Sequence, residues 1–139
     1  MKSTRLIFSA IFTLGIVSAA QADAVPKRSK DFTGNYQTLV KDQQASPPVA
    51  DCIASAYDFV KKSTKYDRLG FTKDDIAAAS TNSKSIKFSA KDTRKVSKVI
   101  SVSGEARIKA GGWDSITLRC GISDGKLKAI ELIPSKPAK

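Results

Sequence analysis

The stretch "WDSITLRCGISDGKLKAIELIP", residues 113–134, decides the architecture. Its apolar residues recur at every second position: Ile116, Leu118, Cys120 and Ile122 share one face, and Thr117 and Arg119 share the other. A period of two marks a half-buried strand. "SDG" interrupts the pattern and reads as a hairpin turn. A three-residue loop, Ser123-Asp124-Gly125 with Gly125 left-handed, would pair Ile122 with Lys126. Leu118 would then face Ile130, and Ile116 would face Leu132. A two-residue loop would set Leu118 opposite Glu131. The first register keeps the apolar residues of the last strand on the core side, so it is the expected one.

The same period extends upstream. In "KVISVSGEARIKA", Ile100, Val102, Ala106 and Ile108 point inward, while Ser101, Ser103, Glu105, Arg107 and Lys109 point outward. Gly104 marks a bulge or a close packing contact, and Gly111-Gly112 make a turn. In "SIKFSAK", Ile86, Phe88 and Ala90 alternate with Lys87, Ser89 and Lys91, which predicts another strand of the sheet.

Before residue 84 the spacing is helical. In "ASPPVADCIASAYDFVKKSTK", Val49, Cys52, Ile53, Ala56, Phe59 and Val60 fall on one face, with Asp51 and Asp58 elsewhere. Ser46 is placed to cap this helix, and Pro47 suits its first turn. "GFTKDDIAAAS" carries a complete start signal: Thr72 as N-cap, Asp75 at the capping-box position, and Phe71 and Ile76 placed for a hydrophobic staple. First-turn acids suit the helix dipole, which accounts for Asp74 and Asp75 without a metal. "DFTGNYQTLVKDQ" predicts a short amphipathic helix with Asp31 as N-cap and Phe32, Tyr36, Leu39 and Val40 on one side. Helices followed by a strand meander specify an α+β domain. Its amino-terminal helices should pack on one face of a three- to four-stranded antiparallel sheet.

Residues 1–22 read as a cleaved secretory signal: a basic start, an apolar run too short to be a comfortable span, and small residues at Ala20 and Ala22. Cleavage is expected after about Ala22. Residues 23–45 then form a flexible leader and the short helix, and residues 46–139 a single domain. No later segment is apolar enough to cross a membrane, so a periplasmic or secreted location follows.

Export places Cys52 and Cys120 in an oxidising compartment. One lies on the buried face of the main helix and the other on the inner face of a strand, so a structural disulfide joining helix to sheet is expected. Closing a loop of about 69 residues is worth roughly 4 kcal/mol in the chain-entropy model. A redox pair would more usually show close spacing and an electropositive exposed site.

The chain has 24 Lys and Arg, 13 Asp and Glu, and no histidine. The absence of histidine excludes Ser-His-Asp and Cys-His catalysis and removes the commonest zinc ligand. Neither a catalytic motif nor a metal or cofactor site is expected. Removing the signal takes away Lys2 and Arg5 and no acid, leaving 22 basic against 13 acidic residues, a net charge of +9. Such a charge favours anionic partners. Lys87, Lys91, Arg107, Lys109, Trp113 and Arg119 all fall on the outer sheet parity and form the candidate binding face. It suits an acidic protein surface or an envelope component. A single aromatic makes it a poor platform for single-stranded nucleic acid, which is not expected as a partner. Glu105 and Glu131, the two glutamates, are expected to pair across strands with Arg107 and Arg119.

The pattern from "VISVSGEARIKAGGWDSITLRCGISDGKLKAIEL", with the earlier helical Cys52, resembles small exported bacterial proteins of the BspC-like type and a related domain-of-unknown-function family. In layout it is more loosely similar to YebF-type exported proteins and the colicin M immunity protein. The resemblance covers about residues 49–133 and rests on two cysteines, one Trp and a few glycines. It implies a disulfide-bonded periplasmic or secreted domain that acts by binding, as an effector or inhibitor-like module, and it carries no catalytic motif. Two other functions stand beside this one: a carboxylate-dependent hydrolase of envelope glycans, and a basic protein adhering to anionic lipid or lipopolysaccharide.

Overall fold

The computed structural model describes residues 25–135; the targeting segment, its cleavage position and the last four residues lie outside them. The helices are α1 (Phe32–Lys41), α2 (Pro47–Val60) and α3 (Lys73–Ala77). The strands are β1 (Tyr66–Gly70), β2 (Ser80–Asn82), β3 (Ile86–Lys87), β4 (Lys95–Val96), β5 (Lys98–Ile108), β6 (Trp113–Ser123) and β7 (Lys126–Pro134). The long strands β5, β6 and β7 form the antiparallel meander, β1 and β2 both pair with β5, and β7 is an edge. The fold is α+β with the two main helices, α1 and α2, preceding the sheet, as its sequence pattern requires. The sheet has five strands rather than three or four.

One face carries the main core. Ile100, Val102, Ala106, Ile116, Leu118, Cys120 and Ile130 meet Val49, Cys52, Ile53 and Ala56 of α2. The Cys52–Cys120 disulfide joins the two layers, and both residues are buried. Gly104 is a close packing contact: a Cβ there would run into the Phe71 ring and come within 2.8 Å of the Gly70 carbonyl oxygen. The capping box of α3 forms as written, with Thr72 Oγ1 accepting from the Asp75 amide and Asp75 Oδ2 accepting from the Thr72 amide. Asp31 and Ser46 occupy N-cap positions without a side-chain cap bond.

The structure corrects the expected register. The β6–β7 turn has two residues, Asp124 and Gly125, both with positive φ, and pairs Ser123 with Lys126. This is the twist-matched hairpin turn that Asp-Gly favours. Left uncorrected, it would turn Glu131 towards the core position opposite Leu118. The register instead shifts beyond Ile122↔Leu127 and resumes at Gly121↔Ala129, which leaves Lys128 as the extra residue of a bulge. Leu118 then faces Leu132 and Cys120 faces Ile130. The apolar side chains reach the core by a bulge rather than by a longer loop.

Further expectations change. "SIKFSAK" does not join the main sheet: β3 and β4 make a separate two-stranded flap. Phe88 and Val96 pack with Val99 and Ala129 in a second, smaller core on the opposite sheet face. The short helix packs with the domain. Phe32, Leu39 and Ala45 belong to the same core as α2, so α1 is part of the domain. Asp58, expected away from the buried side of α2, is buried. It accepts hydrogen bonds from the Ser29 amide and hydroxyl because the leader folds over this side of the helix. Burial alone would push its carboxyl up, but the Ser29 bonds and Lys61 outweigh that and hold it below the usual carboxylate range.

Candidate functional site

The residues expected on one basic face fall in three places. Lys87 and Lys91 ride on the flap and are exposed. Arg119 lies beneath the flap, half-buried. Its Nη2 donates to the Phe88 carbonyl oxygen at 2.7 Å, and its guanidinium carbon sits 5.9 Å from the Phe88 ring centroid. Arg107, Lys109 and Trp113 lie at the far end of the sheet. The flap exists there because Gly121 leaves room for it: a Cβ at that position would come within 2.7 Å of the Phe88 ring.

The glutamates do not pair as expected. Arg119 faces Glu131 in the ladder, yet Arg119 Nε and Glu131 Oε2 are both buried without a hydrogen-bond partner. Arg107 is gripped by Asp67 instead, through Nε at 2.7 Å and Nη2 at 3.0 Å. The register of β1 explains why: Tyr66 pairs with Ile108 and Arg68 with Arg107, so Asp67 is the bulged residue. Its carboxylate compensates two arginines set side by side, and the Arg107 hydrogen bond holds it below the usual carboxylate range.

At this far end Trp113 is 49% exposed, and its ring lies over Gly70, whose Cβ position is 3.8 Å from the ring. Beside it, Asp114 accepts from the Tyr66 hydroxyl at 2.8 Å and pairs with Lys65 Nζ at 2.9 Å. Hydrogen bonds from Lys65 and then from Tyr66 hold the Asp114 carboxyl low.

One concave site is one that the sequence reading missed. A cleft of about 670 Å³ lies where the leader, the end of α2, the flap loop and edge strand β7 converge. Its lining includes Lys27, Lys62, Lys65 and Lys91, the apolar Phe59 and Leu132, and Glu131. Among the described residues, Lys27, Lys62 and Lys91 have no ion-pair partner. The ammonium groups of Lys27, Lys62 and Lys91 around a partly apolar floor can hold anionic groups. The lysines come from three separate segments, around residues 27, 62–65 and 91, and no strand or helix pattern relates them.

Comparison of the chain with family models, curated proteins and solved structures gives no match.

Proposed function

We propose that this protein is an exported binding module, stapled by Cys52–Cys120, that recognises an acidic segment of another protein in the cleft beside β7 rather than catalysing a reaction. The lysine rim carries this reading. Lys27, Lys62 and Lys91 stand exposed with no ion-pair partner among the described residues, in a molecule already strongly basic. Such an arrangement steers anionic partners and fixes their register. The open edge of β7 adds backbone groups that an extended segment can pair with. The disulfide is compatible with an oxidising destination, and no helix among the described residues is long and apolar enough to cross a membrane. A periplasmic or secreted location, reached by a signal cleaved after about Ala22, completes the reading, together with the resemblance to small exported proteins.

The geometry does not favour a carboxylate hydrolase. Glu105 and Glu131 lie two strands and four ladder positions apart on the outer face. Ideal sheet spacings put them roughly 16 Å apart, beyond the about 5–10 Å that paired glycosidase carboxylates span.

The test is fluorescence anisotropy with a labelled Glu-rich peptide of about ten residues, long enough to lie along the nine-residue edge of β7. The peptide should bind at low salt, and a neutral peptide of equal length should not. Lys27→Glu/Lys62→Glu should weaken binding at least about tenfold with an unchanged unfolding midpoint. Equal affinity of this variant and the wild type would overturn the assignment of the cleft.

A further inference from the structure

We propose that the β3–β4 flap is a docking element for a membrane surface rich in anionic phospholipid, a role distinct from the cleft, with which it shares only Lys91. Residues 84–98 hold Lys84, Lys87, Lys91, Arg94, Lys95 and Lys98 against a single acid, Asp92. Within the ladder, Lys87 stands directly opposite Lys95. Their chain neighbours Phe88 and Val96 are buried against the sheet, so the alternation of a strand turns both lysines to solvent. Like charges directly opposite destabilise a strand pair. The Arg68–Arg107 pair elsewhere in the molecule is relieved by Asp67. Lys87 and Lys95 have no such relief, because neither is in an ion pair among the described residues. Asp92, the nearest acid in sequence, is already bound to Arg94 Nε at 2.7 Å. The repulsion is thus built in, and an anion bridging the two ammonium groups removes it.

The chemistry of the flap selects lipid phosphate over a shaped protein surface. Its one guanidinium, though exposed, is engaged within the chain, donating to Asp92 and, through Nη1, to the Lys128 carbonyl oxygen. Its one aromatic, Phe88, is buried. What faces outward is lysine, a compact charge on a flexible stem, suited to a fluid layer of phosphates but not to bidentate recognition. The platform beneath is fixed by the second core and by Ser97, whose amide and hydroxyl both donate to the Ile122 carbonyl oxygen.

The experiment is vesicle co-sedimentation of the mature protein, using phosphatidylcholine alone and phosphatidylcholine with phosphatidylglycerol at about two to one. The protein should sediment only with the anionic vesicles, and less so as salt rises. Each lysine near such a surface is worth about fivefold in affinity, so Lys87→Gln/Lys95→Gln should lose about 25-fold. Lys30→Gln/Lys41→Gln, which removes equal charge around α1, should lose far less. The flap variant should unfold at the same temperature as the wild type or higher, because the repulsion is gone, and it should still bind the acidic peptide. Equal losses from the two variants would overturn the proposal in favour of net charge alone. So would a wild type that ignores anionic vesicles, or a flap variant that loses the peptide but not the vesicles. Failure of the peptide assay with vesicle binding intact would instead remove only the cleft reading.

Discussion

Gly121→Ala should destabilise the protein, and the same substitution should become neutral or stabilising once Phe88 is removed. Gly121 lies on the outer face of β6, and a Cβ there would come within 2.7 Å of Phe88 Cδ2 and 3.0 Å of Val96 Cγ1. The Phe88 ring is fully buried and has no room to withdraw without uncovering the second core. Overpacking of this kind costs about 1–3 kcal/mol. Replacing a strand glycine by alanine recovers about 0.5–1 kcal/mol of backbone entropy, so the net loss is at most about 2.5 kcal/mol and centres on about 1 kcal/mol. In a Phe88→Ala background the clash with the ring is gone, Val96 can settle into the vacated space, and only the entropic gain remains. The coupling between the two sites should therefore be about 1–3 kcal/mol. Phe88→Ala alone should cost up to about 3–5 kcal/mol, less if the flap simply lifts. Urea unfolding followed by Trp113 fluorescence measures the cycle, since this Trp is the only one and stands at the other end of the sheet. A net shift of about 1 kcal/mol moves the midpoint by roughly 0.5 M. Additive losses, with Gly121→Ala equally costly in both backgrounds, would refute the idea that the glycine is there to seat Phe88.

Three further outcomes follow from the main core. Cys52→Ala/Cys120→Ala should lose about 4 kcal/mol in urea unfolding, and the wild type should show no titratable thiol after denaturation; a loss under about 1 kcal/mol would contradict the cross-link's entropic role. Asp58→Asn should cost about 1.5–3 kcal/mol at neutral pH, since it weakens charge-assisted bonds to a buried carboxylate. The folded carboxyl lies below its unfolded value, so its stabilisation is present above the unfolded pKa and is lost as pH falls through the folded one. The gap between wild type and Asp58→Asn should thus close in acid; urea midpoints that differ equally at about pH 7 and about pH 3 would refute this. Gly104→Ala should lose about 2–3 kcal/mol by thermal unfolding, because the Gly70 carbonyl on its path is backbone and yields little.

The disulfide was legible because two independent periods, helical around Cys52 and strand-like around Cys120, each turned a thiol inward. The start of α3 was legible because a capping box is a local signal. The register of β7 was not. A turn of type Asp124-Gly125 and an inward Leu132 contradict each other at constant register, and only a bulge at Lys128 reconciles them. β1 was hidden for the same reason: the extra residue Asp67 sets buried Tyr66 and Leu69 three positions apart, which breaks the period of two. The alternation in "SIKFSAK" holds only for Ile86, Lys87 and Phe88, of which the first two form a strand, while Ala90 is exposed; periodicity also does not report against which face a side chain is buried. The cleft lay beyond sequence altogether, since solvated lysines have no periodicity and tertiary packing alone collects them.

The flap also explains why one sheet has two apolar faces of unequal size. A ladder of two residue pairs cannot hold itself together in water, and the opposition of Lys87 and Lys95 weakens it further. Its position therefore depends on what lies beneath: Phe88 over Gly121, Val96 against Val99 and Ala129, and Arg119 donating to the Phe88 carbonyl. That division assigns position to the buried side and charge to the exposed side. Substitutions of the outward lysines should then alter adhesion while leaving the second core intact. Substitutions at Phe88, Val96 or Gly121 should displace every flap charge at once, even though none of these residues is itself charged.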